Sequence, residues 1–376
     1  MPRLRRRFLL DPAEVGVYHC INRCVRRSFL CGTDPVSGKD YEHRRQWLQD
    51  RLQFLAGQFS LDVLGFAVMC NHFHVIVRNR PDVVAAWSDG EVARRWWNLF
   101  PKRRDDHGHP LEPTDFELQM IIADPVRFAE IRQRLSSVSW FMRCLVEPIA
   151  RSANKEDQCS GRFWEGRYKC QPILDESALA ACLAYVDLNP IRARLAETPE
   201  ASRFTSVYER IQARQSEPAS MTNGEVRPMA EQPVHEPGAV CGSKSVPTPS
   251  GRQGRADWLS PLELSNELTR LPDESVTTAR ASNKGCLPMS FEEYLCLLDW
   301  TGRQLRADKR GAIPQDLAPI LERLHIGGAE GWLQLMGQFS RLFRRAAGRP
   351  QSLQREREQR GCRVMQGLRH SRTVFL

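Results

Sequence analysis

The chain has 376 residues, 41% hydrophobic and 26% charged, which gives it the size for two domains and excludes a wholly disordered or fibrous protein. Its formal net charge is +9, carried mostly by arginine, whose planar fork suits phosphate; nucleic acid is a candidate partner, although charge says nothing of fold. No stretch approaches the roughly 20 apolar residues of a membrane span, the run Phe8-Leu9-Leu10 is too short for a secretory signal, and the expectation is a cytoplasmic protein away from membranes.

Val15 to Arg23 reads as a first strand, followed by a basic loop through Arg27. Tyr41 to Phe59 is helical, with Trp47, Leu48, Leu52, Leu55 and Phe59 recurring at near-helical spacing. Leu61 to Val68 and His72 to Arg78 form a strand hairpin around a polar turn. The order β-α-β-β is the first part of a ferredoxin-like βαββαβ unit. The pattern then changes. Helices are expected at 90–100, after the capping box Thr114-Asp115-Phe116-Glu117, at 124–135 and at 138–153, as a helical insertion over about 82–155. Its expected role is packing, with substrate contact as the alternative. A glycine-punctuated turn, Gly161 to Gly166, leads into the last strand, ending near Ile173. Asp175 or Ser177 caps a helix that runs to Asn189-Pro190, where proline ends or kinks it.

Residues 213–257 are rich in Ser, Pro, Gly and Glu and read as a disordered linker. Beyond them, 258–376 read as an accessory basic helical region. A second capping box stands at Ser290 to Glu293, helices are expected at 320–324 and 332–343, and the tail is strongly basic. The fold class expected is therefore α+β: an antiparallel-sheet domain over 1–212 with a helical insertion, plus a small helical C-terminal domain. The twelve cysteines contain no Cys-x-x-Cys pair and are expected as free thiols rather than zinc ligands or disulfides.

The chemistry concentrates in Asn71-His72-Phe73-His74. Side chains alternate along a strand, so His72 and His74 share a face, about 7 Å apart, and Phe73 points the other way. Two imidazoles so placed can converge on one metal ion, or be satisfied histidines of a half-buried strand. Tyr185 and Asn189 lie four residues apart and share a helical face. If that helix lies beside the histidine strand, a hydroxyl, an amide oxygen and two imidazoles could surround one divalent ion. Tyrosine can serve as nucleophile on a phosphodiester and conserve the bond as a covalent link. Taken alone, Tyr185 reads first as a core or surface tyrosine, and Asn189 as a helix C-terminal residue. Trp164 and Phe163 could stack on unpaired bases or belong to the core.

Three stretches, in this order, carry a resemblance: Tyr18-His19-Cys20-Ile21-Asn22-Arg23; Met69-Cys70-Asn71-His72-Phe73-His74-Val75-Ile76; and Gly161 to Lys169 running on to Tyr185-Val186-Asp187-Leu188-Asn189-Pro190. Together they resemble the single-tyrosine, His-hydrophobic-His transposases, and within them the REP-associated tyrosine transposases, over residues 15 to about 208. The resemblance implies a DNA transposase that nicks and rejoins single-stranded DNA, near hairpins, through a 5′-phosphotyrosine intermediate. It implies Tyr185 as nucleophile, His72 and His74 as metal ligands, Asn189 as a further ligand, and Mg²⁺ or Mn²⁺ as cofactor. Tyr168 is the competing nucleophile. Arg23, Arg26, Arg27, Arg162, Arg167, Lys169, Arg192 and Arg194 are candidate phosphate contacts, or else solvated surface charge. The chain departs from the family at Cys70, where proline is usual, and in the length of its insertion. The expected partner is single-stranded or hairpin DNA, and the expected state a monomer or homodimer. The alternatives are a domesticated, non-catalytic DNA-binding protein on the same fold, and a metal-dependent hydrolase that forms no tyrosyl intermediate.

Overall fold

A computed structural model of the chain describes residues 10–25, 30–34, 38–107, 109–216, 256–264, 279–305, 317–362 and 364–375. Arg26, Arg27 and most of the expected linker lie outside the described residues; of that linker, 213–216 finish a helix and 256–257 belong to a turn.

The fold is α+β and is built on a four-stranded antiparallel sheet. Strands β1 (Val17–Arg23), β2 (Leu61–Val68), β3 (His72–Asn79) and β4 (Lys169–Ile173) stand in the order β2-β3-β1-β4. Helix α1 (His43–Gln58) connects β1 to β2. Five helices separate β3 from β4: α2 (Pro81–Ala86), α3 (Asp89–Leu99), α4 (Asp115–Ile122), α5 (Pro125–Leu135) and α6 (Val138–Glu156). These helices fill the segment from 81 to 156, and the Thr114 to Glu117 capping box closes on both sides.

Strand parity sorts the sheet into two faces. Phe73, Val75 and Val77 join Val63, Phe66 and Val68 in a core with α1 and α6. Leu64, Ala67 and Ile76 face the other way, into a core with α7 (Glu176–Asp187) and the C-terminal helices. Those are α10 (Phe291–Leu305), α11 (Leu317–Arg323), α12 (Gly328–Leu342), α13 (Pro350–Gln359) and α14 (Leu368–Val374). The last two occupy the basic tail.

Helix α7 is the centre of this second layer. Asp175 caps it by accepting from the Ala178 amide at 2.9 Å, and every residue from Ser177 to Asp187 is buried. A helix apolar on all sides is one enclosed on all sides. Gly65 lets the sheet approach it: a Cβ there would stand 2.6 Å from Leu183 Cδ2. Beyond α7 come α8 (Asn189–Arg192) and α9 (Ser206–Ser216). Asp187, 1% exposed, accepts from Ser206 Oγ at 2.6 Å, the Val207 amide at 3.0 Å and the Tyr294 hydroxyl at 2.8 Å, so one carboxylate joins α7 to α9 and α10.

A buried polar network fastens the segment before α10 onto the hairpin. Arg78 Nε donates to Asp62 at 2.8 Å and its Nη1 to the Gly285 carbonyl at 2.9 Å, while Ser282 Oγ donates to Asp62 at 2.8 Å. The described cysteines are free thiols. Among the described residues no helix is long and apolar enough to cross a membrane.

Candidate active site

His72 and His74 share the α7-facing side of β3, with ring centroids 5.0 Å apart. Phe73 is fully buried behind them, edge-on to Trp164 at 5.6 Å. The strand parity seen in the sequence therefore places all three. His74 is 3% exposed and His72 half-buried at the strand's start. His72 Nδ1 stands 2.7 Å from Asn71 Oδ1; with the amide so oriented, Nδ1 carries the proton and Nε2 keeps its lone pair. Burial, with Arg23 and Lys169 nearby, pushes the His72 pKa down to about 4. Burial, with His19, His72 and Arg192 nearby, holds His74 well below its ordinary value. Both imidazoles are neutral at pH 7, as a metal ligand or a proton acceptor must be. The charged side chains acting on the pair, Arg23, Lys169 and Arg192, are all basic.

Helix α7 carries Tyr185 to His74, edge-on, with ring centroids 6.0 Å apart. Tyr185 is 6% exposed. Phe339 of α12 stacks on its ring at 5.4 Å, and the Arg192 guanidinium lies 4.5 Å from its centroid. Asn189 arrives by a different route from the one expected. Helix α7 stops at Asp187, Leu188 caps it, and Asn189 opens α8, with Pro190 in that helix's first turn. Tyr185 and Asn189 thus sit on consecutive helices, bridged by Arg192, whose Nη1 is 3.5 Å from Asn189 Oδ1.

Three buried polar atoms around this junction lack a hydrogen-bond partner: His74 Nε2, Asn189 Nδ2 and Nδ1 of His19, a residue of β1 beside His74. Buried polar groups are normally paired, and a water or a ligand on this face would satisfy these. Neutral imidazole nitrogens suit a transition metal of intermediate softness, while the Asn189 Oδ1 that could join them faces the Arg192 guanidinium at 3.5 Å. Among the described residues, no three His, Cys, Asp or Glu side chains are arranged as a metal site. The set fits an ion only if oxygens of a bound substrate complete its shell, an arrangement in keeping with the basic surroundings.

Tyr168 stands elsewhere. It precedes β4 on the opposite sheet face, in the core with α1 and α6, 3.2 Å from Ser139 Oγ. It cannot share a reacting centre with His72 and His74. Phe163 and Trp164 are 2% and 8% exposed, and the Trp164 indole donates to the Val146 carbonyl at 2.9 Å; both belong to the core. Of the candidate phosphate contacts, Arg23, Arg162, Arg167, Lys169 and Arg194 are exposed, while Arg192 is partly covered. Arg23, Lys169 and Arg192 gather around the histidine pair. Arg162 and Arg167 lie on the loop before β4, with Arg23 in reach of Glu165 there at 3.9 Å.

One residue at the centre carries no role in the sequence. His19 of β1 is 1% exposed, and its Nε2 lies 2.8 Å from His74 Nδ1, the rings stacked at 5.1 Å. Its cross-strand neighbour on β4 is Gln171, whose Nε2 donates to the backbone carbonyl of Phe343. Burial brings the His19 pKa down to about 4, partly offset by Gln171. The parity of β1 puts His19 on the same face as Arg23, but only the register of β1 on β3 brings it to His74.

No family model and no curated protein matches the chain. Among solved structures, one of a REP-associated tyrosine transposase bound to a REP hairpin is similar at 11% identity and a TM-score of 0.33; the match covers 63% of this chain and 100% of that one. Likeness at that level carries no weight for function, which must be argued from the residues.

Proposed function

We propose that the chain is a single-tyrosine DNA transposase of the His-hydrophobic-His type, its sheet and α7 forming a ferredoxin-like catalytic domain. One observation carries this reading: His72, His74 and Tyr185, far apart in sequence, lie together on one sheet face among basic groups, with Asn189 linked to Tyr185 through Arg192, while Tyr168 is on the other face.

In this reading Tyr185 attacks a phosphodiester of single-stranded DNA and becomes joined to the 5′-phosphate, releasing a 3′-hydroxyl. The phenol must give up its proton as it attacks. That proton leaves to the surrounding water, since the one free nitrogen of His74, Nε2, is committed to the metal in this reading. Arg192 over the ring, with Arg23 and Lys169 beside the histidines, offsets the phosphate charge. His72, His74 and Asn189 would hold the Mg²⁺ or Mn²⁺, which supplies further charge neutralisation at a non-bridging oxygen. The released 3′-hydroxyl can reverse the attack and so rejoin strands.

A second reading, a DNA-binding protein that no longer cleaves, is favoured by the burial of Tyr185 beneath Phe339 and Arg192. Covalent trapping separates the two. With labelled hairpin DNA carrying single-stranded flanks and Mn²⁺ or Mg²⁺, a denaturation-resistant adduct is expected, absent in Tyr185→Phe and retained in Tyr168→Phe. Retarded DNA without adduct or cleavage would establish the binder. Cleavage without adduct would establish a hydrolase.

A further inference from the structure

We propose that Cys31 and Cys70 are a peroxide-sensitive thiol pair that closes to a disulfide at the turn before the histidine strand. The proposal does not depend on the reaction proposed above.

Two independent contacts bring these thiols together. The Cys31 amide donates to the Cys70 carbonyl at 3.1 Å. Standard bond lengths then hold the two Cα atoms within about 7 Å of each other, the limit for a disulfide without backbone movement. The side chains turn to one cation. Arg45 Nε lies 3.1 Å from Cys31 Sγ, and Arg45 Nη2 lies 3.6 Å from Cys70 Sγ. Those nitrogens form the edge with which an arginine grips both oxygens of one carboxylate. Two sulfurs seated on that edge lie side by side, and both are free thiols.

The sulfurs differ in access, which orders the chemistry. Cys70 stands half-buried on the turn between β2 and β3. Cys31 is fully buried, its thiol donates to the Met69 carbonyl at 3.0 Å, and burial pushes its pKa up to about 12. The Cys70 sulfur therefore attacks hydrogen peroxide first. An S–O bond forms, the O–O bond breaks, and hydroxide leaves as water with the Cys70 proton, giving a sulfenic acid. The Cys31 sulfur then attacks the Cys70 sulfur. The S–S bond forms, the S–O bond breaks, and the hydroxyl leaves as a second water with the Cys31 proton. Two thiols are oxidised and one peroxide is reduced. Arg45 stabilises the negative charge on either sulfur as it attacks. The residue after Cys70 is Asn71, the neighbour of His72 Nδ1, so the link closes at the entrance to β3.

The test is a disulfide map. Full-length protein, dilute enough to prevent links between chains, is treated with hydrogen peroxide. Remaining thiols are alkylated with N-ethylmaleimide, and the non-reduced digest is read by mass spectrometry. A Cys31–Cys70 linked peptide is expected, lighter by two hydrogens than its separate halves and lost on adding dithiothreitol. Cys70→Ser should abolish it. In Cys31→Ser, Cys70 should accumulate as a sulfenic acid that dimedone traps. Recovery of Cys31 and Cys70 both alkylated overturns the proposal. So does a disulfide at Cys24–Cys31, or at Cys20–Cys170 across β1 and β4, in place of the expected one. The wild-type digest decides this without any variant having to fold.

Discussion

His19 and His72 hold their protons off because burial penalises the imidazolium, and that links the site to acid stability. Each pKa falls from 6.5 to about 4 in the native state. Between those values the unfolded chain binds more protons than the folded one. Their contribution to stability is therefore complete above pH 6.5 and is lost as pH falls toward 4. Scanning calorimetry should show the melting temperature dropping across that window, and a shallower drop in His19→Gln. An unchanged melting temperature from pH 7 to 4.5 would refute the assignment of buried neutral rings. At this scale the sequence was informative wherever the rule is local. The alternation of His72, Phe73 and His74 is a property of one strand and needs no partner to be read. His19 is different. Its partner lies 55 residues away, and the contact exists only in one register of β1 on β3.

Elements show the same division between local pattern and distant partner. Asp175 reads as a candidate cap and does cap α7, whereas the enclosure of that helix on all sides comes from the sheet and the C-terminal helices packed around it. The capping boxes at Thr114 and Ser290 are complete within four residues and formed as read. Helices α13 and α14 were hidden in a basic tail because little apolar surface anchors them: Leu353 is the buried residue of the first, Ser371 and Val374 of the second. The network around Asp62 was equally hidden, because its donors come from β3 and from residues more than 200 positions later. Asp62 is fully buried against Arg78. Removing one partner of such a pair strands the other charge, so Asp62→Ala should cost about 3–5 kcal/mol in denaturant unfolding. A loss under 1 kcal/mol would mean that water reaches Arg78 readily once the carboxylate is gone.

In the molecule as a whole, the histidine strand, α7 and the C-terminal helices share one core, and α7 brings Tyr185 to the histidines of its own chain. Mixing Tyr185→Phe chains with His72→Ala/His74→Ala chains should therefore restore no covalent DNA adduct. Restored adduct would mean that α7 serves a partner's histidines. Asp187 gives this expectation its mechanical basis. Two residues beyond Tyr185, it is held by donors from α9 and α10 in a buried setting. Under the proposed reaction, the arm bearing a captured DNA end is then fixed and cannot swing. Each chain can hold one strand end at a time, and the acceptor strand must diffuse into the place the leaving strand vacated. Exchange between two ends then becomes a matter of DNA turnover at a stationary post, with a rate set by how fast strands come and go.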